Sequence, residues 1–262
     1  MNLRKYTWSI VVLLSLLTGL SLSSLAQAGE GWNRYNFQKQ LRFERPRLPR
    51  NIGSPPRGRG GGSRGDCPYR PEFPPMMALV PGNATKLTVR ESPTVWVYVP
   101  YATDEVNQGK FYLQNEDGRQ EFFRVDVQLP PTPGVVGIQF PSTYRLTLNQ
   151  IYQWNFEIDC PTQDETQSQR AIVIGFIQRI DPPEPIDVAP QESSLDRVAF
   201  YALAGIWHEA IDTLANLKLN SDESELVERE WNSLLRDENI LLQELADAPI
   251  VGYVTITNPQ LE

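Results

Sequence analysis

Thr94-Val95-Trp96-Val97-Tyr98-Val99-Pro100-Tyr101 reads as a strand with no polar face. Side chains alternate across a strand at period 2. One face then carries Val95, Val97, Val99 and Tyr101, and the other Thr94, Trp96, Tyr98 and Pro100. Such a strand needs cover on both sides. It is therefore expected at the centre of the folded body, and the neighbouring sequence should supply two covering layers.

Residues 79–180 carry strand signals throughout. A short strand over 85–89 precedes the central one. Residues 111–116 and 120–129 flank Asp117-Gly118, a hairpin turn signal. Residues 135–140 form an apolar run after Pro133-Gly134. In 151–160 the alternation is clean. Tyr152, Trp154, Phe156, Ile158 and Cys160 share one face; Gln153, Asn155, Glu157 and Asp159 share the other. Residues 171–180 are again apolar on both faces. Some seven short strands separated by turn signals predict an antiparallel β-sandwich, immunoglobulin-like in general plan, over residues 67–185. Asp181-Pro182-Pro183-Glu184-Pro185 ends it as a stiff linker.

Residues 186–262 switch to a helical period. Val198, Tyr201 and Ala202 recur at helical spacing before Gly205 interrupts. Ile206, Ala210, Ile211, Leu214 and Leu217 give a second helix its apolar side. Asp222-x-x-Glu225 is a capping-box-like start for a third, with Trp231, Leu234 and Leu235 on its buried side. Pro249 stops the helices, and 250–257 reads as a last strand able to return to the sheet. Tyr201-x-x-x-Gly205-x-x-x-Glu209-Ala210 resembles the turn and second helix of a tetratricopeptide unit. Stacked repeats need about three units, so this is a repeat-like hairpin and not a solenoid. The expected fold class is α+β: the sandwich with a helical hairpin packed on it, preceded by a signal peptide and a disordered arm. The strand pairs around 123–129 and 152–158 would cover one face of the central strand, and the helices after Leu195 the other.

The formal charge of −8 hides a strong polarity. Residues 29–70 hold ten basic and three acidic side chains, net +7, while residues 71–262 hold 12 basic and 29 acidic ones, net −17. Ahead of them, residues 1–28 read as a secretory signal: Arg4 and Lys5, an apolar run broken by serines, then Ala26-Gln27-Ala28 at the cleavage positions. A retained membrane anchor is the alternative. Cleavage near Ala28 would leave a periplasmic or extracellular protein with no later spanning stretch. Residues 29–66, with R-G-R-G-G-G-S-R-G at 57–65, bury too little apolar surface to offset chain entropy. They read as a disordered basic arm, although Trp32, Tyr35, Phe37, Leu41 and Phe43 are spaced for a short amphipathic piece. Gly60-x-Gly62-x-x-Gly65 and Gly61-x-Ser63-x-Gly65 match dinucleotide and nucleophile-elbow motifs. Both motifs require a strand before and a helix after, and neither is present. Export argues against a nucleic-acid partner. Arg57, Arg59 and Arg64 would instead meet an anionic polymer, or nothing if the arm is a solvated linker.

Cys67 and Cys160 are the only cysteines. In an exported chain they are expected to pair, which would stabilise the fold by about 4 kcal/mol on chain-entropy grounds. Free thiols or a redox pair are the alternative reading. The single histidine, His208, sits beside Glu209 on a helix, and adjacent helical residues do not face each other. One histidine and two paired cysteines do not make a zinc site, and no calcium loop of the D-x-[DN]-x-[DN]-G type occurs. No cofactor, metal or catalytic set is expected.

Several pieces together resemble the cyanobacterial domain-of-unknown-function family 928. They are the exported N-terminus, the Gly-Arg arm, Cys67-Pro68, Leu79-Val80-Pro81, P-T-V-W-V-Y-V-P-Y at 93–101, F-E-I-D-C-P at 156–161, A-G-I-W-H-E-A at 204–210 and Ala248-Pro249-Ile250. The resemblance covers about residues 67–250. It implies a cyanobacterial envelope protein and carries no catalytic residues. The expectation is a non-catalytic binding or scaffolding protein, with an unknown envelope protein or an anionic polymer as partner. Contact surfaces are expected at the arm (Arg57, Arg59, Arg64) and near Trp207 and Trp231. Two other readings predict distinct surfaces. A carbohydrate binder should show a row of exposed aromatics on a sheet face. A cell-wall glycan enzyme should show a cleft with two carboxylates, one of raised pKa.

Overall fold

The period-2 stretches become strands close to the boundaries their alternation sets. In the computed structural model these are β1 (Met77–Ala78), β2 (Lys86–Thr88), β3 (Thr94–Val99), β4 (Gln108–Asn115), β5 (Glu121–Gln128), β6 (Gly134–Gln139), β7 (Ile151–Cys160) and β8 (Gln169–Arg179). Helices α1 (Ser194–Leu203), α2 (Trp207–Asn220) and α3 (Glu225–Leu235) follow, then β9 (Ile250–Tyr253) and β10 (Thr255–Gln260). The structure describes residues 41, 43, 72–81, 86–104, 106, 108–160, 169–182, 194–220, 225–238 and 240–260. All of them fall in one compact unit, residues 40–262. The expected signal peptide (1–28), the arginines of the arm and Cys67 lie outside the described residues, as does the side chain of Cys160.

Two sheets form a sandwich, with strand orders β1-β3-β6-β9 and β10-β5-β4-β7-β8-β2. All six residues of β3 are buried. Its even face meets α2: the Trp96 indole N–H donates to Asp212 of that helix. Its odd face, Val95, Val97 and Val99, is buried in the core shared with the larger sheet. There Phe140, just after β6, packs on Phe111 of β4 and Phe123 of β5 at ring separations of 5.3 and 5.7 Å. The sheet is not purely antiparallel as expected, because β2 pairs β8 in parallel and β6 pairs β9 in parallel. Hairpins force antiparallel pairing, but β2 and β9 reach their sheet edges without a hairpin to the neighbour, so nothing imposes that direction.

Local chemistry explains the remaining boundaries. Gly205 adopts φ 72 and closes α1. Its N–H bonds the Ala202 carbonyl and the next N–H, of Ile206, bonds that of Tyr201, a Schellman end that turns the chain into α2. α2 packs against β2, β3 and β9. The single expected C-terminal strand is two: β9 lies on the smaller sheet and β10 pairs β5 on the larger one. Of the expected disordered arm the structure describes two residues, both from its amphipathic piece. Leu41 and Phe43 are buried within it. The Leu41 N–H donates to Glu230 of α3 at 3.2 Å, and Phe43 stands edge-on to Trp207 at 5.2 Å. These two apolar side chains join the hydrophobic core beside the helices. Among the described residues, no helix is long and apolar enough to cross a membrane.

Candidate functional site

Glu209, Asp212 and Asn216 recur at spacings of three and four on α2, so they form one stripe on the helix. That stripe faces the turn between β2 and β3. One oxygen of Glu209 accepts from the Thr88 hydroxyl at 2.6 Å, the Val89 N–H at 3.1 Å and the Arg90 N–H at 3.3 Å. Asp212 accepts from the Arg90 guanidinium at 2.7 Å, from the Trp96 indole at 3.2 Å and from the Asn216 amide at 3.3 Å. Asn216 in turn accepts from the Tyr253 hydroxyl at 2.7 Å. A ladder of polar contacts thus ties α2 to β2, β3 and β9. The two carboxylates are buried, as is Thr88.

Burial sets the protonation of this region. It pushes the Glu209 carboxyl up, against the opposing pull of the Thr88 hydroxyl, the Arg90 charge and the Val89 N–H. Beside it, burial and the nearby Lys86 charge lower His208 to about 3. The Thr94 backbone acts in the opposite sense, at a geometry short of a hydrogen bond, since neither ring nitrogen has a partner among the described residues. His208 is therefore a neutral core side chain. Burial also lowers Lys86 to about 8. Tyr201 and Tyr253 are raised, each by burial first and then by the carboxylate near it, Glu209 and Asp212 respectively.

Where the ladder reaches the surface, a cleft of about 330 Å³ opens along α1 and α2. Its charged lining is Arg90, Arg197 and Asp212; its neutral polar lining is Ser194, Tyr201, Thr213, Asn216 and Asn220. Arg90 is 49% exposed here while its partner Asp212 is 6% exposed, so the guanidinium covers the buried carboxylate and still presents a face to the cleft. Arg197 is exposed, and its guanidinium donates to the Ser194 hydroxyl at 3.3 Å.

Asp212 is the one carboxylate among the described lining residues. Glu209, the group of raised pKa, does not line the cleft, and one of its oxygens is taken up by its own chain. The pair of cleft carboxylates that a glycan hydrolase needs is thus not brought together among the described residues. His208 lies in the core. No cluster of three or more His, Cys, Asp or Glu side chains suited to a metal occurs among the described residues. A second polar cluster, around Glu157 on the outer face of the larger sheet, is held by Tyr112, Arg124 and Arg170 at 3.4–3.7 Å.

The two tryptophans named with the expected helical contact surface lie in the core. Trp207 and Trp231 are both 0% exposed. Their indole N–H groups donate to the Leu79 and Ala246 carbonyls at 2.8 and 3.2 Å, so each is a core side chain with its one donor satisfied. Trp96 and Trp154 are equally buried. No described tryptophan joins an exposed aromatic row, which removes the observation that a tryptophan-based carbohydrate face requires. Arg57, Arg59, Arg64 and the Cys67–Cys160 pairing fall outside what the structure describes. Sequence reasoning missed Glu209, Asp212 and Asn216 as a group. Their i, i+3, i+7 spacing was visible, but the partners of Glu209 and Asp212 on Thr88 and Trp96 lie more than a hundred residues away.

No curated protein matches the chain. Its sequence matches the family described as Domain of Unknown Function (DUF928) over residues 59–250, most of its length, and the chain belongs to that family.

Proposed function

We propose that this is a non-catalytic exported protein of the cell envelope that works by binding or scaffolding. The observation that carries the reading is the division of labour on α2. Its buried carboxylates hold the protein's own β2–β3 turn, and beside them Thr213, Asn216 and Asn220 of α2 line a small cleft together with the guanidinium groups of Arg90 and Arg197. Such a surface offers recognition without a nucleophile–base pair. The sandwich, read as immunoglobulin-like in plan, and the α1–α2 pair, read as tetratricopeptide-like, are both architectures used for contact. The basic arm is read as a second, electrostatic attachment to anionic polymer, and Cys67–Cys160 as a stabilising disulfide suited to an oxidising compartment.

The test is cross-linking of the tagged full-length chain in its native cells, followed by identification of what it holds. The reading predicts recurrent capture of one envelope component. Turnover of an envelope substrate that disappears in Asp212→Asn would overturn it. The arm's role is checked separately by salt titration. Envelope retention should weaken as ionic strength rises through the range where the screening length falls to about 10 Å. Equal retention by a chain beginning at residue 66 would remove that role.

A further inference from the structure

We propose that the cleft along α1 and α2 binds a single acidic sugar unit, a hexuronate, with its carboxylate at Arg197 and Arg90. This rests on the binding reading above and assigns it a ligand class. The Arg90–Asp212 pair largely neutralises itself, which leaves Arg197 as the uncompensated charge among the described lining residues. No ion pair holds Arg197 among the described residues, and its one hydrogen bond there is to a neutral serine hydroxyl. The site therefore suits one negative charge. A doubly charged phosphate would meet the Asp212 carboxylate as well. The remaining lining is the second observation. Tyr201, Thr213 and Asn220 offer hydroxyl and amide groups that both donate and accept, the complement of sugar hydroxyls. The half-buried Tyr201 ring supplies a face for the C–H side of a pyranose. Leu217 is the one aliphatic side chain in the lining, too little for an apolar peptide anchor. At about 330 Å³ the cleft lies at the small end of the ~300–1,000 Å³ range of small-molecule sites, room for one sugar unit.

The experiment is calorimetric titration of the full-length chain, at fixed ionic strength, with glucuronate, galacturonate, glucose and inorganic phosphate. A uronate should bind saturably, with glucose and phosphate each at least about tenfold weaker, since each lacks either the charge or the hydroxyl pattern. Arg197→Met, an exposed substitution that should leave the melting temperature unchanged, should weaken uronate binding by about tenfold or more. Thr213→Val and Asn220→Ala should weaken it without altering the salt dependence. Phosphate binding as tightly as uronate, glucose binding equally well, or full uronate affinity in Arg197→Met would each overturn the assignment. So would absence of uronate binding. If no uronate binds while cross-linking of the wild-type chain still captures an envelope component, the binding reading stands and this site alone falls.

Discussion

At Glu209 a single carboxylate oxygen accepts from one hydroxyl and two backbone N–H groups, all from residues 88–90. Glu209→Ala would orphan these donors in a buried setting, at a cost of about 1–3 kcal/mol for each that water cannot reach. Glu209→Gln keeps an acceptor oxygen and removes a buried charge, so it should cost less than about 1 kcal/mol. Urea midpoints of the two variants check this, and equal losses would show that the acceptor is not what matters. The neighbour, His208, gives a pH signature of known sign. Burial lowers its pKa from 6.5 to about 3. Between those values the unfolded chain takes up a proton that the folded protein refuses, so stability falls as pH drops from about 6.5 towards 3. His208→Leu should flatten that slope while leaving stability near pH 7 close to the parent, because neither ring nitrogen makes a hydrogen bond among the described residues. Denaturant melts across this pH range would detect it. Glu209, with its pKa raised, works in the opposite sense: stability declines as pH rises above the ordinary carboxylate range through its folded pKa.

Elements are held by equally local devices. Trp154 of β7 sits opposite Gly175 of β8, and a Cβ on Gly175 would stand 2.3 Å from the indole. Gly175→Val should therefore destabilise the larger sheet by about 1–3 kcal/mol through overpacking. Pairing it with Trp154→Leu should recover part of the loss, and a thermal-melt cycle over the four proteins measures the coupling. Gly205, at φ 72, ends α1; Gly205→Ala should cost about 1 kcal/mol by placing a Cβ in the left-handed region. Much of this was legible in the sequence. The alternation of 151–160 set both the limits and the inner face of β7, and Gly205 marked the helix break. The split of 250–260 between two sheets was not legible, because a short run of β-formers does not say which edge it will join. Nor was the Glu209–Asp212–Asn216 ladder. Polar residues on a helix read as solvated until the distant N–H and O–H groups they satisfy are placed beside them. Leu41 and Phe43 were legible as part of an amphipathic piece, but what covers them was not, since their partners Glu230 and Trp207 lie on α3 and α2.

For the molecule as a whole, the feature that organises the chain is the strand 94–99, buried on both faces between a larger sheet and a helix. Sandwich and helices share one core, which includes Val97, Trp154, Trp207 and Trp231. The described tryptophans are thereby withdrawn from the surface, and the proposed recognition falls to the polar groups that line the cleft along α1 and α2. The account's central claim is that the protein holds an envelope component and leaves it chemically intact. Co-sedimentation of the full-length chain with isolated envelope, with soluble reducing ends assayed in the supernatant, tests this most directly. The account predicts saturable pelleting with no rise in reducing ends over time. Reducing ends that accumulate with wild-type protein and vanish with Asp212→Asn, or protein that stays entirely in the supernatant, would contradict it.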